Sequence, residues 1–276
     1  MIFVYKKWDA FCKKLANAGL HSIPAAEVYG REKGYLVLKH DVETDVSKAY
    51  ELARIEQQYG HRGSYYVQAY LLDKKENVTL LRQMQEMGHE VSYHYDVMDS
   101  CKGDLDRAIE EFETNRKRFE ANGFSLQTLC QHGNPVVERI GYTSNRDFFR
   151  SERVRSLYPE LSDIMVNFAE AHQTDYVYYS DAGRQFKMIY DPQTNDIVSS
   201  DDKNIVYKDT DALLDACLQN ERCIISTHPH RWTASAFKYC IKTAVFKVVR
   251  CIAKLMAKIP FFKKIMSRYY YLAKKM

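Results

Sequence analysis

Short apolar runs alternate along this chain with longer stretches in which apolar positions recur every three or four residues. The short runs, rich in β-branched and aromatic residues, read as buried strands; the longer stretches read as amphipathic helices. On this basis residues 6–19 form a helix with Trp8, Phe11 and Leu15 on one face and Gly19 as its stop. A strand at 35–38 is followed by a helix over 46–59, a strand at 64–67, a helix over 78–87 and a strand at 90–93. A charged helix over 105–121 leads to a strand at 126–130. Further on, 151–158 and 211–219 read as helices, 164–168, 176–179 and 223–227 as strands, and 191–203 as a polar excursion. Strands alternating with helices predict an α/β fold in which helices cover a parallel sheet, closed as a barrel or doubly wound.

Polar clusters follow four of the predicted strands. Lys39-His40-Asp41-Val42-Glu43 follows the first, His94-Tyr95-Asp96 the third, Gln131-His132-Gly133-Asn134 the fourth and His228-Pro229-His230 the last. Catalytic groups of α/β proteins collect where strands end. One such cluster also suits a helix start or a satisfied core histidine. Four of them, all with titratable or metal-capable side chains, point to an enzyme site assembled from distant segments.

Composition narrows the class. A hydrophobic fraction of 46% fits a globular core and excludes an extended disordered chain. The seven cysteines are scattered without a CxxC pair, as expected for reduced thiols and not for a disulfide framework or a zinc knuckle. Charges occupy the first residues, where a signal peptide needs an apolar core, and no run of 18 apolar residues occurs. A cytoplasmic location is expected.

Charge is divided unevenly. Glu221 is the last acidic residue, and 13 Lys or Arg follow it. Residues 1–221 hold 27 basic against 36 acidic side chains. Within the basic end, Ile241, Val245, Val248, Val249, Ile252, Leu255 and Met256 form an apolar stripe at helical spacing, flanked by lysines. Two regions follow: a body over 1–235 and a basic amphipathic helical tail over 236–276. A tail of this kind suits an anionic membrane surface, which would make the protein peripheral at the inner membrane face. No nucleic-acid partner is expected.

The order of the motifs resembles the polysaccharide deacetylase family (NodB homology) over about residues 30–232. The resemblance is carried by Asp41-Val42-Glu43 after an early strand, by Gly88-His89-Glu90 with His94, and by Thr227-His228-Pro229 near the end. Ser180-Asp181-Ala182-Gly183-Arg184 is similar to a stretch of divergent members from surface-polysaccharide pathways. It implies a distorted (β/α) barrel, a divalent metal such as zinc, and removal of an acetyl group from an N-acetylated sugar or lipid-linked glycan. Asp41 matches the family's catalytic base, Glu43 a metal acid, His94 a metal histidine and His228 the catalytic acid. The family's second metal histidine would stand at Met98, so Asp96 or His132 is expected to supply the third ligand. Asp181 would orient a ligand, a histidine or a sugar hydroxyl, and Arg184 an acidic part of the substrate. The alternative is an inactive glycan-binding or scaffold protein of the same fold; a hydrolase of another amide or an ester is a third reading.

Overall fold

The computed structural model describes residues 2–31, 34–134, 137–181, 185–189, 205–241 and 243–245. Eight strands form one sheet: β1 (Tyr35–Val42), β2 (Ser64–Val67), β3 (Glu90–Tyr95), β4 (Thr128–Gln131), β5 (Ser162–Asp163), β6 (Val177–Ser180), β7 (Lys187–Ile189) and β8 (Arg222–Thr227). Their order is β5-β4-β3-β2-β1-β8-β6-β7. All neighbours are parallel except β6 and β7. The strand β1 at its centre is buried along its whole length, as a strand covered on both faces must be.

The helix α1 (Tyr5–Asn17) precedes the sheet, and α2 (Val46–Gln58), α3 (Lys75–Glu86), α4 (Val97–Ser100), α5 (Leu105–Ala121), α6 (Asp147–Arg150), α7 (Glu152–Leu157), α8 (Phe168–Ala171) and α9 (Thr210–Leu218) lie in the connections between strands. The helix α1 buries Trp8, Phe11, Cys12 and Leu15, one face of a 3.6-residue period. Asp45 caps α2 by accepting the Lys48 N–H. Gly88, at φ +89°, makes the left-handed turn that ends α3 and starts β3.

Side chains of β1 alternate between two cores. Leu36 and Leu38 join Trp8, Phe11, Leu52 and Ile225 under the helices. Tyr35 and Val37 point the other way, into a cluster with Tyr66, Cys130, Ile164, Tyr178 and Ile224. That second cluster draws on β1, β2, β4, β6 and β8, so the sheet curls around it. The edges β5 and β7 do not pair with each other among the described residues. Near β5 the Tyr176 hydroxyl donates to the Ile164 carbonyl at 2.8 Å, a side-chain bridge toward β6.

Two local expectations change. Residues 164–168 are not a strand: the Asp163 carboxylate accepts the Met165 N–H at 2.7 Å, and Asn167 accepts the Asp163 N–H at 2.7 Å. Such local side-chain bonds compete with a sheet ladder. The chain turns there and enters α8. The short antiparallel β7 was not expected. The excursion at 191–203 and the tail beyond 245 lie outside the described residues. No described helix is long and apolar enough to cross a membrane.

Candidate metal centre

The period of a strand decides which residues of the first motif share a pocket. Lys39 and Asp41 face the concave side of β1, while His40 faces the helices. There His40 Nε2 lies 2.9 Å from Glu56, which also accepts from Trp8 Nε1 at 3.0 Å and Tyr65 Oη at 2.8 Å. His40 is therefore part of a buried network behind the sheet and does not reach the pocket.

On the concave side, side chains from the carboxyl ends of four strands converge. Asp41, His94 and Cys130 bring ligand atoms within 4.8 Å of one another, and so do Glu43, His94 and His132. Chemistry separates the two groups. Both oxygens of Asp41 are engaged by the Lys39 ammonium, at 2.6 and 2.7 Å. Cys130 would have to ionise to bind a metal, and burial, then the nearby Asp41 charge, push its thiol well up. Glu43, His94 and His132 carry no such handicap. Burial lowers His94 to about 3, so it is neutral at physiological pH. Its Nδ1 lies 3.0 Å from the Cys130 carbonyl, which can only accept. Nδ1 therefore carries the proton and Nε2 keeps a lone pair, the arrangement found in histidines that ligate metals.

His132 is held from both sides. Its N–H donates to the Tyr95 carbonyl at 2.7 Å. Its carbonyl accepts from Asn145 Nδ2 at 2.8 Å, and the same amide donates to Asp99 at 2.9 Å. The His132 ring lies 3.4 Å from Glu43 through Nε2, and its Nδ1 is buried without a hydrogen-bond partner. A Glu/His/His set whose ligand atoms lie this close suits a divalent ion with open positions. Asp96 belongs to neither group; it stands at the N-cap position of α4. Met98 is buried in the apolar cluster with Val97, Tyr95 and Phe112, so that position faces core.

The carboxylates carry charge at neutral pH. Burial would raise Asp41, but Lys39, followed by His94 and His228, brings it down to about 2. Glu43 is also pulled well below the usual range against the effect of burial, by His132, His228 and His230.

His228 enters the pocket from the end of β8. Its Nε2 is 3.8 Å from both Asp41 and Glu43. Its Nδ1 lies 2.6 Å from Asp181. Asp181 is fully buried and also accepts from Thr227 Oγ1 at 2.9 Å, His228 N–H at 3.0 Å and Arg231 at 2.6 Å. Burial opposes ionisation there, yet Arg231 and His228 hold the carboxyl well below its ordinary value. Of the three roles expected for Asp181, the geometry gives it the orientation of a histidine. Arg184 lies outside the described residues.

Two residues of the pocket were not singled out from the sequence. Lys39 is one, although its spacing from Asp41 places both on one strand face. His230 is the other: its Nδ1 stands 3.9 Å from the second Glu43 oxygen, and burial lowers it to about 3. Comparison with known protein families, with curated proteins and with solved structures finds no match to this chain.

Proposed function

We propose that this protein is a metal-dependent hydrolase that removes an N-acyl group, an acetyl, from a sugar of a surface glycan. The observation that carries the reading is the meeting of Asp41 and His228 beside the Glu43–His94–His132 set. A divalent ion such as zinc, held by those three, would polarise the amide carbonyl and make a water acidic enough to attack at neutral pH.

The remaining steps belong to the chain's own side chains. Asp41, kept ionised by Lys39, accepts the proton of the attacking water. The new C–O bond forms as that proton leaves, and the C–N bond then breaks. His228, acting with both ring nitrogens protonated, hands the Nε2 proton to the departing amine and is reprotonated by the proton that Asp41 took from the water, so both groups end as they began. Asp181 keeps the other ring proton on Nδ1, so the exchangeable one sits toward the substrate. The pocket opens on the side of His228 and His230, which are 16 and 29% exposed against 2% for His132. That is the side from which a sugar would enter.

A second reading rests on the same ion pair. With Lys39 on both oxygens, Asp41 is a weak base, and a glycan-binding protein without turnover would tolerate that arrangement. Acetate release from N-acetylated oligosaccharides by the zinc-loaded protein separates the two. The hydrolase reading expects release by the wild type, none by Asp41→Asn, and a fall in kcat larger than any change in KM for His228→Ala. Glycan binding with no acetate released would favour the scaffold. Equal release by both variants would rule out the assigned roles.

A further inference from the structure

Beyond the pocket the chain enters a helix that leaves an apolar face in water. After His228, residues Pro229–Arg231 make one 3₁₀ turn. Trp232 then donates to Thr227 Oγ1 at 2.7 Å, and Thr233 bridges to Val4. Ser235 begins the helical residues 236–241 and 243–245. Its carbonyl accepts the Tyr239 N–H at 3.0 Å, and its hydroxyl accepts the Lys238 N–H at 3.4 Å. Tyr239 is buried, with its ring 6.0 Å from that of Phe3. One side of this helix is thus fastened to the body.

Another side is not. Phe237, Ile241 and Val245, spaced four apart and therefore on one face, are 74, 48 and 56% exposed. Lys238 is exposed beside them. Three bulky apolar side chains in a row are more than the single exposed residues ordinary on a surface.

The root of the helix lies at the pocket's end of the sheet. Gly19 and Leu20, just past α1, line a 550 Å³ cavity together with Gly34, Tyr35 and Leu36 at the amino end of β1. A helix of 13 residues is about 20 Å long, so its other end, at Val4, is level with the carboxyl end of β1. That is where Asp41 stands and where Thr233 joins.

Charge indicates what covers the face. From Lys238 to the last residue the chain has 11 basic side chains and no acid. A second copy docking through this same face would bring two such segments together with nothing of opposite sign in them. An anionic bilayer offers both what an apolar face and what a lysine needs. We infer that the Phe237–Ile241–Val245 face docks on an anionic membrane surface and sets the pocket's end of the sheet toward the lipid. The inference is independent of the reaction, since neither metal nor sugar takes part.

The test is co-sedimentation of the full chain with vesicles, either phosphatidylcholine alone or phosphatidylcholine mixed with phosphatidylserine, at low and high salt. The wild type should bind the mixed vesicles and keep part of that binding at high salt, where charge is screened. F237S/I241S/V245S should bind the mixed vesicles about tenfold more weakly and lose the salt-resistant part. All three positions are exposed, so an unchanged melting curve should show that the variant is folded. Equal binding of both proteins at high salt overturns the inference. So does a wild type that binds neither vesicle, or a wild-type dimer that the variant turns into a monomer without any change in vesicle binding.

Discussion

The Nδ1 of His228 lies 2.6 Å from the buried carboxylate of Asp181, and that contact fixes which ring nitrogen faces the pocket. A carboxylate at this position can only accept, so Nδ1 donates and Nε2 is left to face Asp41 and Glu43. Asp181→Asn can present its amide to the ring instead and invert the tautomer. Acetate release by this variant should fall by about 10²–10⁴-fold in kcat, with KM little changed. An unchanged kcat would show that His228 does not exchange protons during turnover.

A second prediction concerns the network behind the sheet. Glu56 is fully buried and collects Trp8, Tyr65 and His40. Burial alone would raise its carboxyl, but His40, then His89 and the Tyr65 hydroxyl, hold it below its ordinary value. A carboxyl whose folded value is depressed adds stability above its unfolded value, near 4.3, and that contribution is lost as the pH falls below it. Glu56→Gln should therefore cost about 3 kcal/mol or more at pH 7. The gap from wild type should narrow toward pH 4 and below. Urea unfolding at several pH values measures this, and equal midpoints at neutral pH would contradict it.

His230 gives a third. It is neutral at physiological pH and stands 3.9 Å from one Glu43 oxygen, while His132 lies 3.4 Å from the other. Replacing it should loosen the hold on a metal without removing one of the three principal ligands. We expect His230→Gln to weaken zinc binding by about 10–100-fold, the range for side chains that support a ligand. Competition with a chelator of known affinity reads this directly. Wild-type affinity in the variant would place His230 with the substrate and not with the metal set.

The pocket was legible in the sequence to the extent that strand ends are legible. Asp41, Glu43, His94, His132 and His228 each follow an apolar run, and parallel order brings those ends together. The period of two along β1 also separates Lys39 and Asp41 from His40, a distinction available from spacing alone. The sequence places Lys39 in a polar cluster after a strand at 35–38 and gives it no role; the structure extends β1 to Val42, so Lys39 lies inside the strand and Asp41 neutralises it two residues away. The Asp181–His228 pair spans 47 residues and depends on how β6 and β8 register, which local pattern does not report. The strand expected at 164–168 failed for a local reason, since Asp163 and Asn167 use their side chains to turn the backbone. The choice between Asp96 and His132 needed the curl of the sheet.

That choice also supplies the most direct test of the metal-dependent reading. Zinc bound per chain should be measured for the full-length wild type and for His94→Ala, His132→Ala and Asp96→Ala, each checked for an intact melting transition. Glu43, His94 and His132 as the ligand set predict about one ion per wild-type chain. They predict a loss of affinity of about 100-fold or more in the first two variants and near wild-type binding in Asp96→Ala. A wild type that takes up no divalent metal, or a His132→Ala variant that holds zinc as tightly as the wild type, would contradict the account.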